Sequence, residues 1–320
     1  MEGGPRGGVY PPAHRAGHGD PFVIDAIRLA MARVRRVTVS GGRSFEYVSQ
    51  GKGPATLLVH PGGPGGTYHY LRALLRLSSA DLRVILFNPR GCGHSWAPRR
   101  PSEYTIPHMA EDVEAIRKAL KIEELHLLGY EAGGFVALEY AHRYPKPLTS
   151  LLLCGTAGSA EEIRAANRLM FACASPRQRA RLRALRKVKA FGSAEYQELC
   201  DRIRDPFYVR FLKEMPRDLK ATKLNQTVFR AMMSPSGDLY AVDGTMKDWD
   251  GRKYYSKIDV PCVVVSGRYD YFLASSVTMA ERIEPAHLRV LAQSSHLAIL
   301  EQPREFLAVI REFLEDVTGG

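Results

Sequence analysis

Leu125-His126-Leu127-Leu128-Gly129-Tyr130-Glu131-Ala132-Gly133-Gly134-Phe135 decides how the chain is read. An apolar run stops at Gly129, turns sharply and enters a helical pattern rich in small residues. A strand that turns directly into a helix fits the nucleophile-elbow pattern, G-x-Nuc-x-G. The flanking glycines let the backbone turn tightly and let strand and helix approach closely. Such a turn lifts one side chain above the sheet, and here that side chain is Glu131.

Working outward, Thr56–His60 reads as a buried strand running into the loop Pro61-Gly62-Gly63-Pro64-Gly65-Gly66. A glycine-rich loop after a strand exposes backbone N–H groups near a ligand, or is a plain turn. Val84–Phe87 is the next strand, followed by Asn88-Pro89-Arg90-Gly91-Cys92-Gly93-His94-Ser95. Thr105 can cap a helix from Pro107, with Met109, Val113, Ile116 and Leu120 on one face. Val37–Val39 and Phe45–Val48 read as a hairpin joined by Ser40-Gly41-Gly42. Beyond the elbow come a helix through Tyr144 and a strand at Ser150–Cys154.

From about 157 to 250 the chain is Arg-rich and helical in pattern, without a clear strand. Strand character returns at Val260–Val265 and Leu288–Leu291, and an amphipathic helix carrying Phe306, Leu307, Ile310, Phe313 and Leu314 closes the chain. Strands alternating with helices predict an α/β fold: a mostly parallel central sheet, helices on both faces, and an inserted helical cap. The expected division is a core of residues 21–156 and 251–320 with a cap of residues 157–250. Residues 1–20, rich in Gly, Pro and His, are expected to form a disordered arm. Ile24, Ile27, Leu29, Met31 and Val34 suggest a short helix after it.

The 320 residues are 45% hydrophobic and carry a formal charge of +11. The basic excess gathers at Arg177, Arg179, Arg181, Arg183, Arg186, Lys187 and Lys189, a pattern expected of a solvated helix face. No nucleic-acid-binding motif accompanies it, so no nucleic-acid partner is expected. No apolar run reaches the ~18 residues of a membrane span, and residues 1–20 lack the apolar core of a secretory signal. Cys92, Cys154, Cys173, Cys200 and Cys262 are odd in number and without metal spacing. Reduced thiols, a cytoplasmic location, and no metal or cofactor are the expectations.

Glu131, Asp270 and His296 all follow strands, and ligands of open α/β sheets gather at the carboxyl ends of strands. Nucleophile, acid and histidine occur in the order of the α/β-hydrolases. The chain resembles the proline iminopeptidase group of that superfamily over about residues 35–318. His60-Pro61-Gly62-Gly63-Pro64-Gly65-Gly66 is similar to the group's oxyanion loop. Arg90-Gly91-Cys92-Gly93-His94-Ser95 is similar to its R-G-x-G-x-S segment, with Asn88 where Asp is common. Gly244–Asp250 looks like the return from cap to core in tricorn-associated members. Gly267–Asp270 and Ser295–Leu297, followed by Glu301-Gln302-Pro303, match the acid and histidine segments.

The resemblance implies removal of an N-terminal residue, typically proline, from short peptides. It implies an oxyanion hole at Gly62, Gly63 and Ala132, and a structural Ser95. Cap carboxylates would hold the substrate's amino group, with Glu195, Glu198 and Asp238 as candidates.

The departure is Glu131, where the resemblance implies serine. Serine chemistry needs a hydroxyl proton that histidine can take. A carboxylate attacking an amide would make a high-energy anhydride. Three roles remain. Glu131 can attack an sp3 carbon of a small molecule, such as an epoxide or alkyl halide, giving an ester that His296 and Asp270 hydrolyse with water. Tyr208, Tyr240, Tyr254 and Tyr255 are then candidate proton donors. Glu131 can instead be a general base, in a hydrolase or in a lyase or cyclase. Or it can form an ion pair with a charged His296 that closes a non-catalytic or inactivated peptidase site.

Overall fold

The structure, a computed structural model, describes residues 32–319. The arm at residues 1–20 and the helix expected from Ile24 lie outside them, except that Val34 is exposed and in neither helix nor strand.

Eight strands form one sheet: β1 (Arg35–Thr38), β2 (Ser44–Gln50), β3 (Ala55–His60), β4 (Leu82–Phe87), β5 (Leu125–Tyr130), β6 (Leu148–Cys154), β7 (Cys262–Gly267) and β8 (Ala286–Leu291). Their order is β1-β2-β4-β3-β5-β6-β7-β8. The β1–β2 and β2–β4 pairs are antiparallel, and every later pair is parallel. The hairpin is as the sequence predicts, except that β1 begins at Arg35 and ends at Thr38, because Ser40–Gly42 closes a 3-10 turn.

The inner parallel strands β3, β5, β6 and β7 are largely apolar on both sides, as burial under helices on two faces requires, whereas the edge strand β8 buries only Leu291. Side chains alternate between the two cores with period two. Leu125 and Leu127 of β5 face one core, whereas Leu128 and Tyr130 face the other. The first core is closed by α1 (Ile106–Ala119), α2 (Ala132–Arg143) and α8 (Leu273–Arg282). Thr105 caps α1 by accepting from the His108 N–H. The second core is closed by a 3-10 helix at Tyr68–Leu77 and by α9 (Pro303–Thr318). All five apolar residues singled out in the closing helix are buried there. The 3-10 helix at Tyr68–Leu77 is unexpected. It follows the six consecutive Gly and Pro residues of the loop, beyond which the sequence reading assigned no element before β4.

Between β6 and β7 the chain forms α3 (Ala160–Cys173), α4 (Pro176–Lys187), α5 (Ala194–Tyr208), α6 (Arg217–Ala221) and α7 (Gln226–Met232). Among the described residues this stretch makes only isolated bridges, Gly66 with Leu224 and Ser159 with Asp250. It has its own small core of Met170, Leu182, Leu185, Tyr196, Leu199 and Ile203. The Arg-rich α4 buries only Leu182 and Leu185. Its arginines are also committed locally: Arg181 to Glu195, Arg186 to Asp238, and Arg179 to the carbonyls of Ala172 and Ala174.

Pro206 sits in the last turn of α5. Helix C-termini leave carbonyls without intrahelical donors. Here the Phe207 and Tyr208 carbonyls accept from the N–H groups of His296 and Leu297, at 3.0 and 3.1 Å. The helical segment is thereby tied to the loop after β8, which sets the roof of the site.

Candidate functional site

Glu131 stands between β5 and α2 with φ 49° and ψ −115°. A non-glycine residue in that region is strained and persists only when its surroundings over-determine it. Its N–H donates to the Cys154 carbonyl at 2.9 Å. Its carbonyl accepts from the Gly134 N–H at 2.9 Å and from Thr156 Oγ1 at 2.7 Å. The turn also needs Gly133, where a Cβ would fall 2.1 Å from the His60 carbonyl oxygen.

The Glu131 side chain turns toward the Gly-Pro loop. The Gly63 N–H donates to Oε2. Among the described residues Oε1 meets no hydrogen-bond donor. The loop fits closely over the carboxylate, since a Cβ at Gly62 would come within 2.6 Å of Oε2. The Gly62 N–H is already committed to the Tyr70 hydroxyl at 2.7 Å. Gly62 is therefore not a free donor, contrary to the expectation for the oxyanion hole. Ala132 opens α2, where the first amides lack intrahelical acceptors.

His296 Nδ1 lies 3.1 Å from Asp270 Oδ1. The same oxygen accepts from the Phe272 N–H at 2.8 Å. The histidine carbonyl accepts from the Tyr130 hydroxyl at 2.7 Å. The rings of Tyr271 and Tyr208 stack on the imidazole at 4.5 and 5.2 Å. Both side chains of the Asp270–His296 pair are fully buried. His296 Nε2 and Asp270 Oδ2 have no hydrogen-bond partner among the described residues. No Glu131–His296 ion pair forms within 4.0 Å. The closed salt bridge considered for a non-catalytic site is thus absent, because the carboxylate is drawn to the Gly63 amide instead.

Burial pushes the Glu131 pKa up, and His296 and the Gly63 N–H offset only part of that. Burial would lower the His296 pKa, but the Asp270 carboxylate, its hydrogen bond and Glu131 outweigh burial and raise it.

Glu131 opens on a cavity of about 250 Å³ beneath the α3–α7 segment. Tyr70, Tyr208, Tyr240 and Tyr271 line it, with Arg204, Asn167 and Thr222 as further polar groups. The Tyr240 hydroxyl is buried without a hydrogen-bond partner among the described residues. Of the residues expected to bind substrate, Tyr208 and Tyr240 line the cavity, whereas the acids do not. Glu195 is exposed and paired with Arg181, and Glu198 is exposed and paired with Arg202. Asp238 is buried, but it is held by Arg186 and the Tyr196 hydroxyl. Tyr254 is turned away, with its hydroxyl on Glu139 and its ring on His142. Tyr255 points toward Gly158.

Ser95 donates to the Asn88 carbonyl at 2.6 Å and accepts from the Glu46 N–H, so it braces a loop. Burial pushes the Cys92 thiol up to about 12, which keeps it protonated. Among the described residues no group of three His, Cys, Asp or Glu side chains could hold a metal ion, and no helix is long and apolar enough to cross a membrane.

Tyr70, Tyr271 and Arg204 are the site residues that sequence reasoning missed. Tyr271 adjoins Asp270 and was open to inference from that position alone. Tyr70 and Arg204 carried no local signal.

Residues 55–303 match the alpha/beta hydrolase fold family. The chain is 29% identical over 276 residues to the proline iminopeptidase of Saccharolobus solfataricus, covering 85% of this chain and 88% of that protein. It is 27% identical to the proline iminopeptidase of Thermoplasma volcanium, covering 82% and 89%. Among solved structures, it is similar to the proline iminopeptidase of Mycobacterium smegmatis, with TM-score 0.78, 26% identity and coverage of 89% and 98%. VinJ superposes with TM-score 0.81 at 24% identity, covering 89% and 99%, which shows the shared fold.

Proposed function

Because the chain belongs to the alpha/beta hydrolase fold family, we propose that it is a hydrolase of small molecules in which Glu131 is the nucleophile and His296, held by Asp270, activates water. The observation that carries this reading is the divided role of the carboxylate. The Gly63 N–H holds Oε2, and Oε1 is left unbonded at the cavity. A carboxylate nucleophile needs that division: one oxygen attacks, and the other stays in the donor site that will later stabilise charge.

With an epoxide, Oε1 attacks a ring carbon and the C–O bond breaks toward the ring oxygen. A tyrosine hydroxyl protonates that oxygen. Tyr240 suits this role because its buried hydroxyl has no other partner. The product is a glutamyl ester whose carbonyl oxygen lies at the Gly63 N–H, with the Ala132 N–H as the second donor. His296 Nε2 takes a proton from water, and the hydroxide adds to the ester carbonyl. The tetrahedral oxyanion collapses, the ester C–O bond breaks, and His296 returns the proton to the departing alkoxide. A diol leaves; Glu131 emerges as the carboxylic acid, and its proton passes through solvent to the tyrosinate, which restores both the Glu131 carboxylate and the tyrosine hydroxyl.

The relatives' names suggest prolyl peptides. Two points favour the epoxide or alkyl halide class instead. Attack on an amide by Glu131 would give an anhydride, and Glu131 is the sole acid among the described residues lining the cavity.

The test is turnover of a terminal aryl epoxide, an alkyl halide and a prolyl-arylamide by the same preparation. Diol or halide release without arylamine release supports the proposal, and arylamine release alone overturns it. Tyr240→Phe should lower epoxide turnover by roughly 10²-fold. It should leave halide release far less affected, because a halide leaves without protonation.

The acid limb of the rate profile follows from the two raised pKa values. The reactive state has Glu131 ionised and His296 neutral, so activity is lost as pH falls through either raised pKa. The limb should therefore lie above the ordinary histidine value of about 6.5. In Asp270→Asn it should move to lower pH on a reduced plateau, since the group that raises the histidine is gone. An unmoved limb would argue against this pairing.

A further inference from the structure

We propose that the substrate carries a carboxylate and that Arg204 binds it. The inference rests on the reading above for the reaction but concerns a different part of the cavity. Among the described residues lining the cavity, Arg204 is the sole Lys or Arg, just as Glu131 is the sole Asp or Glu. The acids expected to receive an amino group lie elsewhere, at Glu195, Glu198 and Asp238. An amine would find only the nucleophile as its counter-ion, and pairing with it would occupy the attacking carboxylate.

Arg204 is placed for an anion. Its neighbours Asp201 and Asp205 both meet it through Nη2, at 3.0 and 3.2 Å, and both are half exposed. Water screens such exposed pairs, so they hold the guanidinium weakly. Arg204 Nε is different: it is buried and has no hydrogen-bond partner among the described residues. A buried N–H without an acceptor is costly, and a ligand oxygen that met it would remove the cost. The guanidinium also lies 4.8 Å over the Tyr208 ring, which stacks on His296. The cation is therefore fixed relative to the reacting groups. The planar fork of a guanidinium matches a planar carboxylate. The remaining walls are largely apolar, including Ile163, Met170, Leu224, Phe229 and Met233. They fit a hydrocarbon body between the carboxylate and the electrophilic carbon.

Binding can be measured apart from turnover. The probes are 4-phenylbutyrate, its primary amide and 4-phenylbutylamine, titrated calorimetrically into the full chain and into Glu131→Gln. The carboxylate should bind about 10-fold or more tightly than the amide in both proteins. The amine should bind more weakly than the amide in Glu131→Gln, where no acid remains. Arg204→Gln should remove the preference for the carboxylate without changing amide affinity, and Arg204→Lys should restore part of it. Unchanged amide affinity shows that the cavity has survived the substitution. Equal carboxylate affinity in the parent and Arg204→Gln, or tighter binding of the amine than of the carboxylate, would overturn the proposal. A carboxylate preference in a chain that turns over no epoxide or halide would leave Arg204 standing and remove the nucleophile reading instead.

Discussion

His296→Ala should release about one equivalent of halide per chain from an alkyl halide and then stall, leaving a covalent adduct on Glu131. The first step needs only the carboxylate and its donors. Oε1 is unbonded, and Gly63 already holds Oε2. The second step needs a base for water, and His296 Nε2 is unpartnered within a fully buried pair. General-base assistance contributes roughly 10²–10⁴-fold, so the ester should persist long enough to be isolated by mass. Removing the imidazole leaves a gap against Tyr208 and Tyr271, so the variant's folding must be checked by its melting transition. Unabated turnover in a folded His296→Ala chain would mean that the histidine does not act on water.

Glu131→Gln should lower turnover of every substrate by roughly 10⁴-fold or more, the scale on which loss of a single nucleophile acts. The same change should stabilise the fold. Burial pushes the Glu131 pKa up, which means that the ionised group is held at a cost. Glutamine keeps the length and an acceptor for the Gly63 N–H, and it removes the charge. A higher melting temperature is the expected result. Paired loss of activity and gain of stability separates a functional carboxylate from a structural one. A lower melting temperature would indicate that the carboxylate serves the fold. Glu131→Ser has a different expected outcome. The cavity offers no acid for a peptide amino group, so this variant should not gain prolyl-arylamidase activity.

The sheet was legible because β5 and β7 are apolar, end in glycine-marked turns and cannot be solvated. The strand-end positions of Glu131, Asp270 and His296 were legible for the same reason. The direction of the Glu131 side chain was not. A sequence places a carboxylate near a histidine, but the choice between that histidine and an amide depends on where a separate loop folds back. Here Gly63 arrives and the ion pair does not form. The acids expected to bind substrate failed for a related reason. Glu195 and Glu198 share a helix with Arg204, and only the packing of that helix decides that Arg204 reaches the cavity while the acids face water. Tyr70 was hidden inside a 3-10 helix whose glycine-rich approach read as loop.

The most direct measurement is a single turnover of an epoxide in ¹⁸O-enriched water, with excess enzyme, followed by mass analysis of the peptide containing Glu131. The nucleophile mechanism predicts heavy oxygen in the Glu131 side chain and an unlabelled added oxygen in the first-turnover diol. A labelled diol with an unlabelled Glu131 would contradict it and make the glutamate a base.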